Sequence, residues 1–271
     1  MKVELSPLDC IKLGKLLTNF YPRILPAVEV IKEASRLGQG NFSTADLEVS
    51  NEGHVIKLMR SKSTGEDNAL WYGFADPGEA VGATGMLCLM KGLIDGVPAL
   101  SKLPYVWNFI PVLNLDDQPN GGNTLQKVMK TGEQEVDWMV KNPRPETKAL
   151  LRAAKDLRPK FVFPLHDEWH CREQIPCYMP VSGTLPRRVC DGLREILLSF
   201  GLEISKKHVD AQMGEGFLNW HGDPESEHST FFEFSKHGFV FICEVPDIAG
   251  KEDRDVIAAQ LAAGLFAMAN C

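Results

Sequence analysis

Residues 68–94 read NALWYGFADPGEAVGATGMLCLMKGLI, and this stretch decides the fold. The apolar run at 68–75 predicts a buried strand, and Asp76-Pro77-Gly78 predicts a turn directly after it. From Glu79 onward, small residues recur on one face and Met, Leu and Ile on another, which predicts a helix over 79–94. A strand that passes through a tight turn into a helix is the repeating unit of α/β proteins.

Further strands and helices of the same kind lie on both sides of this unit. Strands are predicted at HVIKLMRS (54–61), YVWNFIPVLNL (105–115), FVFPLH (161–166) and, as one or two strands, TFFEFSKHGFVFICEVP (230–246). Helices are predicted at PETKALLRAAKDLRP (145–159), RRVCDGLREILLSFG (187–201) and DRDVIAAQLAAGLFAMA (253–269), while residues 167–186 look irregular. This alternation predicts an α/β fold with a mixed, largely parallel central sheet and helices on both faces.

The N-terminal part of the chain differs from the rest. Residues 5–38 look largely helical, with a break near Pro22 and Pro26. We interpret residues 1–44 as an N-terminal helical appendage and residues 45–271 as the domain that carries the candidate site.

The composition disfavours several classes of protein. The chain has 271 residues, 44% of them hydrophobic, and a net charge of −7, which argues against nucleic acid or an anionic membrane as a partner. No apolar run reaches the roughly 20 residues that span a bilayer. Glu4 and Asp9 interrupt the first segment, so it does not resemble a signal peptide. Seven scattered cysteines are typical of reduced thiols, and we expect a cytoplasmic protein.

Three side chains that can bind a metal stand at the ends of predicted strands. Asp76 follows the strand that ends at Ala75, Glu79 begins the next helix, and His166 closes FVFPLH. In open α/β sheets, ligands bind beyond the carboxyl ends of the strands, so these residues can converge. Two carboxylates and one imidazole leave one tetrahedral position for water, which is the pattern of a catalytic zinc.

A fourth polar residue, Glu244, ends the apolar strand FVFICE. A carboxylate in such a setting is costly unless it has a partner or a task. Close to a water that zinc has acidified, Glu244 would serve as the general base.

Each of these residues also has a simpler interpretation. Asp76-x-x-Glu79 is close to a capping box, in which side chains satisfy the backbone N–H groups of a helix start. His166 taken alone would be a hydrogen-bonded core histidine, and Glu244 taken alone would belong to a buried ion pair. The order, the spacing and the shared strand-end setting of the four residues favour a common site.

Other histidines carry weaker signals. His170 completes HDEWH, which does not match the HExxH zinc motif because the glutamate is misplaced, so Glu168 and His170 are interpreted as groups at the rim of the pocket. His221, His228 and His237 either line a loop near the site or are surface histidines, and we favour the second interpretation.

Taken in order, the motifs resemble the zinc carboxypeptidase superfamily, including its deacylase branch (succinylglutamate desuccinylase and aspartoacylase). That family carries His-x-x-Glu after a strand, a second His that closes another strand, and later a catalytic Glu. Four segments match this order: 71–93 (WYGFADPGEAVGATGMLCLMKGL), 107–117 (WNFIPVLNLDD), 145–168 (PETKALLRAAKDLRPKFVFPLHDE) and 242–248 (ICEVPDI). The resemblance implies a zinc-carboxypeptidase-like catalytic domain over roughly residues 45–270, with zinc on Asp76, Glu79 and His166 and with Glu244 as the base.

The sequence departs from the family at the first ligand, which is Asp76 where the resemblance predicts His. An aspartate adds negative charge, so it should make a bound water less acidic or favour another divalent ion. Alternatively, the change weakens or abolishes metal binding.

A second departure concerns the Asn-Arg pair with which the family grips a substrate carboxylate. Residues 138–140 (WMV) stand in its place, so we consider Arg144 as a substitute. Lys127 or Lys130 lies where the family places an oxyanion-stabilising Arg, although both are equally well explained as solvated helix charges. Trp138 indicates an apolar wall for the substrate or, equally, a core tryptophan.

We therefore expect a zinc-dependent metallohydrolase that cleaves an amide bond in a short peptide or a small N-acylated amino acid. Its partner would be that small substrate, and no pattern predicts the oligomeric state. The alternative is a non-catalytic carboxypeptidase-like binding protein with a degenerate metal site.

Overall fold

The computed structural model describes residues 4–76, 78–116, 143–167, 176–220, 229–246 and 253–271 of the chain. Its helices are α1 (Pro7–Leu17), α2 (Ala27–Gly38), α3 (Ala80–Ile94), α4 (Pro98–Ser101), α5 (Pro145–Leu157), α6 (Arg187–Ser199), α7 (Thr230–Ser235) and α8 (Asp253–Asn270). Its strands are β1 (Phe42–Val49), β2 (Val55–Ser61), β3 (Asp67–Gly73), β4 (Tyr105–Ile110), β5 (Phe161–Leu165), β6 (Met179–Val181), β7 (Val209–Asp210), β8 (Gly214–Glu215), β9 (Phe217–Asn219) and β10 (Phe239–Val240).

The central sheet has six strands in the order β1-β2-β4-β3-β5-β10. β1 pairs antiparallel with β2, and β2 pairs antiparallel with β4, whereas β4, β3, β5 and β10 run parallel to one another. β6 pairs with β9 and β7 with β8 in two small additional sheets. The predicted mixed, largely parallel sheet is therefore confirmed.

The central strand β3 shows how the sheet is covered. Ala69 and Trp71 belong to a core cluster shared with α3 and α8, while Leu70 and Tyr72 belong to a second cluster shared with α5 and α7. Successive side chains of a strand point to opposite faces of a sheet. The two clusters therefore lie on opposite faces, and helices cover both faces as predicted.

The structure of residues 230–235 differs from the strand that was predicted for this segment. They form helix α7 and not the start of a strand, because Ser229 caps the segment and its Oγ accepts a hydrogen bond from the Phe232 N–H at 3.3 Å. The sheet strand β10 is limited to 239–240, and single bridges continue the extended chain to Val245.

β1, which we did not predict, is mostly exposed and lacks a continuous apolar run. β4 ends at Ile110, earlier than the predicted strand end at residue 115. Part of the predicted irregular segment 167–186 pairs as the short strand β6.

The N-terminal helices pack into the main core. Ile11 and Leu17 of α1 belong to the same cluster as α3 and α8. α1 lies so close to α8 that a Cβ on Gly14 would stand 2.5 Å from the Ala258 carbonyl oxygen. The predicted boundary between residues 44 and 45 falls inside β1. The division into an appendage and a catalytic domain stays a prediction.

None of the helices in the described ranges combines the length and the apolar character needed to cross a bilayer. The cytoplasmic location stays a prediction. In the same ranges the cysteines are free thiols: Cys10, Cys88, Cys177, Cys190 and Cys243 are buried, and Cys271 is partly exposed.

Candidate metal centre

The fold brings the three predicted metal ligands together. Asp76, Glu79 and His166 each offer one ligand atom, and these atoms all lie within 4.8 Å of one another. His166 Nδ1 is 3.2 Å from Glu79 Oε2 and 3.7 Å from Asp76 Oδ2. Two carboxylates and an imidazole form the type of ligand set that leaves a zinc ion with an open position.

The parallel pairing of β3 with β5 explains this convergence. Gly73 pairs with Leu165, so both strands end at the same edge of the sheet and their next residues emerge side by side. Phe74 then adopts a positive φ of 54°, an uncommon conformation for a bulky residue. Its carbonyl accepts a hydrogen bond from the Asn114 N–H at 2.9 Å, which holds the chain in this conformation as it turns toward Asp76.

The start of α3 does not form the capping box that was the simpler interpretation of Asp76-x-x-Glu79. The N-cap is Glu79 and not Asp76, and the Glu79 side chain makes no capping hydrogen bond. Instead, Asp167 Oδ2 accepts a hydrogen bond from the Val81 N–H at 2.9 Å. A residue from the end of β5 thus accepts a hydrogen bond from a backbone N–H in the first turn of α3. The Glu79 carboxylate is directed to His166 instead.

The electrostatics of Glu79 are suited to a cation. The residue is 3% exposed, and its Oε2 faces His166 Nδ1 at 3.2 Å. Burial raises the pKa of the Glu79 carboxyl well above its usual range, His166 opposes this rise, and the charge of Asp76 adds to it. A buried carboxylate beside a second carboxylate and an imidazole fits a metal ligand.

Glu244 lies next to this group of residues. The register that pairs Phe239 with Phe161 is kept by the bridge between Val245 and Asp167. This register places the backbone of Glu244 beside the backbone of His166. The two backbones are then separated by the usual distance between neighbouring strands, about 4.8 Å. Glu244 is partly buried, and its N–H donates to the Tyr178 carbonyl at 2.9 Å.

Of the predicted substrate-binding residues, only Arg144 lies within the described residues. It is the N-cap of α5, and its Nε donates to Glu146 Oε2 at 3.2 Å. Glu146 is fully buried, so the guanidinium already has a carboxylate partner in the protein. Lys127, Lys130, Trp138, Glu168, His170, His221 and His228 lie outside the described residues, and His237 is partly exposed just after α7.

Two functional candidates were missed by the sequence analysis. Asp167 is a buried acid, but it directly follows His166, and the strand-end pattern was assigned to the histidine alone. Gln260 is buried in α8 and contacts the site through backbone carbonyls. A single glutamine within the apolar run 256–269 was the signal that could have identified it.

A second set of metal-competent side chains lies at the β1–β2 turn. Glu52, His54 and Asp116 also offer ligand atoms within 4.8 Å of one another. Asp116 accepts hydrogen bonds from Ser50 Oγ at 2.5 Å and from the Glu52 N–H at 3.0 Å, while the His54 side chain is 46% exposed. These bonds already occupy the buried carboxylate in holding the turn, which favours a structural role for this cluster.

No protein-family model matches the chain, and no curated protein matches its sequence. Solved structures do match its fold. A presumed metallopeptidase from Shewanella amazonensis SB2B matches with a TM-score of 0.61 at 17% identity, over 89% of this chain and 90% of that chain. A presumed metallopeptidase from Shewanella denitrificans OS217 gives 0.60 at 23% identity, over 88% and 87%. A metallo-carboxypeptidase from Burkholderia cenocepacia gives 0.59 at 17% identity, over 86% of this chain and 66% of that chain.

These matches span nearly all of this chain at low sequence identity, so they bear on the fold. The chain therefore has a metallo-carboxypeptidase-like α/β fold, and its resemblance to the zinc carboxypeptidase superfamily is confirmed at the level of the fold.

Proposed function

We propose that the protein is a zinc-dependent amide hydrolase that acts on a short peptide or a small N-acylated amino acid. Asp76, Glu79 and His166 would hold the metal, and Glu244 would be the general base. The observation that carries this proposal is the convergence of three ligand atoms within 4.8 Å at the carboxyl ends of two adjacent parallel strands.

The chemistry follows from the residues around this point. A zinc ion held there would polarise the scissile carbonyl and acidify a water. Glu244, in register with His166, would accept the proton of that water and pass it to the leaving amine.

The contact of Arg144 bears on how a substrate is bound. To bind a substrate carboxylate, the Arg144 guanidinium would have to share its charge with the fully buried Glu146. Removing a charged partner from a buried carboxylate is costly. This argues against Arg144 as the group that binds a substrate carboxylate, which short peptides and N-acylated amino acids both carry. Lys127 and Trp138 remain candidate substrate contacts.

Metal analysis and a comparison of two variants test the proposal. We expect the purified, zinc-supplemented wild type to retain one zinc per chain, and Asp76→Ala to lose it. With a panel of N-acyl amino acids and dipeptides, Glu244→Gln should keep its zinc but lose about 10²–10⁴-fold in kcat, the usual contribution of a general base. A wild type that retains no zinc overturns the assignment of the site.

The competing function is a non-catalytic carboxypeptidase-like binding protein. It is favoured by the aspartate at the first ligand position and by the Arg144–Glu146 pair. Equal residual amide hydrolysis by wild type and Glu244→Gln, with zinc bound in both, would favour this function over the hydrolase.

A further inference from the structure

Gln260 is a buried polar residue in the middle of the apolar helix α8. Its side chain is 1% exposed, and the residues on both sides of it in the helix are buried alanines and leucines. Its Nε2 donates two hydrogen bonds, to the His166 carbonyl at 2.6 Å and to the Cys243 carbonyl at 2.9 Å. Burying an amide is favourable only when such bonds are made, so these contacts define the position of the side chain.

The two acceptors belong to the two strand ends of the candidate site. His166 is a proposed zinc ligand at the end of β5, and Cys243 directly precedes Glu244 on the extension of β10. One amide group therefore ties the backbone of a metal ligand to the backbone next to the proposed base.

Gln260 also lies against the third element of the site, α3. A Cβ on Gly82 would stand 2.7 Å from Gln260 Oε1 and 2.4 Å from the Leu165 Cβ, so only glycine leaves room for the amide here. Gly82 lies in the first turn of the helix that begins after Glu79. The segments carrying Glu79, His166 and Glu244 thus all meet at this one side chain.

We propose that Gln260 is a positioning residue that sets the separation between the zinc ligand His166 and the base Glu244. The roles of those two residues rest on the proposed function. A glutamine is suited to this task because its amide nitrogen carries two N–H donors, one for each carbonyl. Glutamate would present only acceptors to two carbonyl oxygens, and methionine would fill the space without donating.

The test compares Gln260→Met with a matched variant at the other end of the same helix. Asn270 Nδ2 also donates to two backbone carbonyls, those of Leu5 at 3.1 Å and Phe266 at 2.9 Å, far along α8 from the site. Asn270→Leu therefore removes the same kind of interaction without touching the strand ends. Gln260→Asn is the second variant at the site. Its side chain keeps the amide but is too short to contact both the His166 and the Cys243 carbonyls.

Two readouts are used, amide hydrogen exchange of the metal-free proteins and the affinity for Zn²⁺ alone. Gln260→Met and Gln260→Asn should speed exchange in both 161–167 and 239–246, and should weaken Zn²⁺ binding about tenfold, as for lost partners of metal ligands. Asn270→Leu should lower thermal stability without either effect.

Unchanged exchange at the two strand ends, or Zn²⁺ affinity lowered equally in Asn270→Leu, would overturn the positioning role. A wild type that binds no Zn²⁺ would instead overturn the proposed function, and the exchange data would still decide whether Gln260 joins the strand ends.

Discussion

Asp167 Oδ2 accepts a hydrogen bond from the backbone N–H of Val81 at 2.9 Å. This bond joins the end of β5 to the first turn of α3. His166 directly precedes Asp167, and Glu79 lies two residues before Val81. One contact therefore links the start of a helix to the two segments that carry Glu79 and His166.

We predict that Asp167→Ala lowers both the stability of the protein and its affinity for zinc. Loss of a helix N-terminal acceptor typically costs about 0.5–2 kcal/mol. Because α3 and β5 also carry Glu79 and His166, Zn²⁺ affinity should fall about tenfold or more. Urea unfolding and Zn²⁺ competition titrations measure the two effects.

A matched control is available at α1. Ser6 Oγ accepts a hydrogen bond from the Asp9 N–H at 3.2 Å in an exposed capping box far from the candidate ligands in sequence. Ser6→Ala should lower stability by about the same 0.5–2 kcal/mol and leave Zn²⁺ affinity unchanged. An equal fall in affinity in both variants would contradict the coupling between cap and site.

We predict that Glu79→Gln stabilises the metal-free protein and abolishes its stabilisation by zinc. The raised pKa of Glu79 means that the folded chain keeps a proton on this carboxyl at pH values where the unfolded chain has released it. The contribution of Glu79 to the free energy of unfolding therefore falls as the pH rises above the ordinary value of 4.5. Glutamine carries no charge, so the advantage of the variant should grow with pH.

Urea unfolding in a chelator at about pH 5 and about pH 8 measures this dependence. Added zinc at the higher pH should raise the midpoint of the wild type and not that of Glu79→Gln. If Glu79 and His166 were instead a structural ion pair, the variant would be less stable than the wild type without metal, and the prediction would fail.

We predict that Asp76→His changes which metal is preferred. Carboxylate ligands suit Mn²⁺ and Mg²⁺, whereas imidazole suits zinc. The Asp76 side chain is 28% exposed, which leaves room for a larger ring. The ratio of the Mn²⁺ to the Zn²⁺ dissociation constant should therefore rise in the variant, as measured by competition with a chromophoric chelator. A ratio equal to that of the wild type would indicate that Asp76 does not contact the metal.

We predict that the cluster at the β1–β2 turn stabilises the fold and adds no zinc. Asp116→Ala removes the acceptor of bonds from Ser50 Oγ and the Glu52 N–H, which should cost about 1–3 kcal/mol. His54→Ala removes a half-exposed ring and should change stability little. Both variants should retain the zinc content of the wild type in elemental analysis, and loss of zinc in His54→Ala would assign the ion to this turn instead.

The strand ends of the site could be predicted because their patterns are local. NALWYGFA and FVFPLH are continuous apolar runs, and Asp76 and His166 mark the residues where each run stops. Strand direction then supported the convergence of these two residues, since parallel strands end at the same edge of a sheet, while Glu79 and Glu244 were added from the order of the motifs and the family resemblance.

The remaining features depend on contacts that no local pattern encodes. The segment TFFEFS has the aromatic residues typical of a strand, but the Ser229 cap and the packing of Phe231 and Phe234 in the core make it helical. Gln260 stood out in its apolar helix, yet its partners are backbone carbonyls, which every residue carries. The role of Asp167 likewise appears only when α3 and β5 are seen side by side.

The packing of α1 on α8 has a consequence for biosynthesis. The buried residues Ile11 and Leu17 are synthesised well before Ala258 and Ala262, which lie against Gly14. The apolar face of α1 therefore lacks its docking partner until α8 has been synthesised, and apolar surface that is exposed in this way is prone to aggregation. Since Gln260 belongs to the same helix, the hydrogen bonds that join the two strand ends of the candidate site form only after α8 has been synthesised.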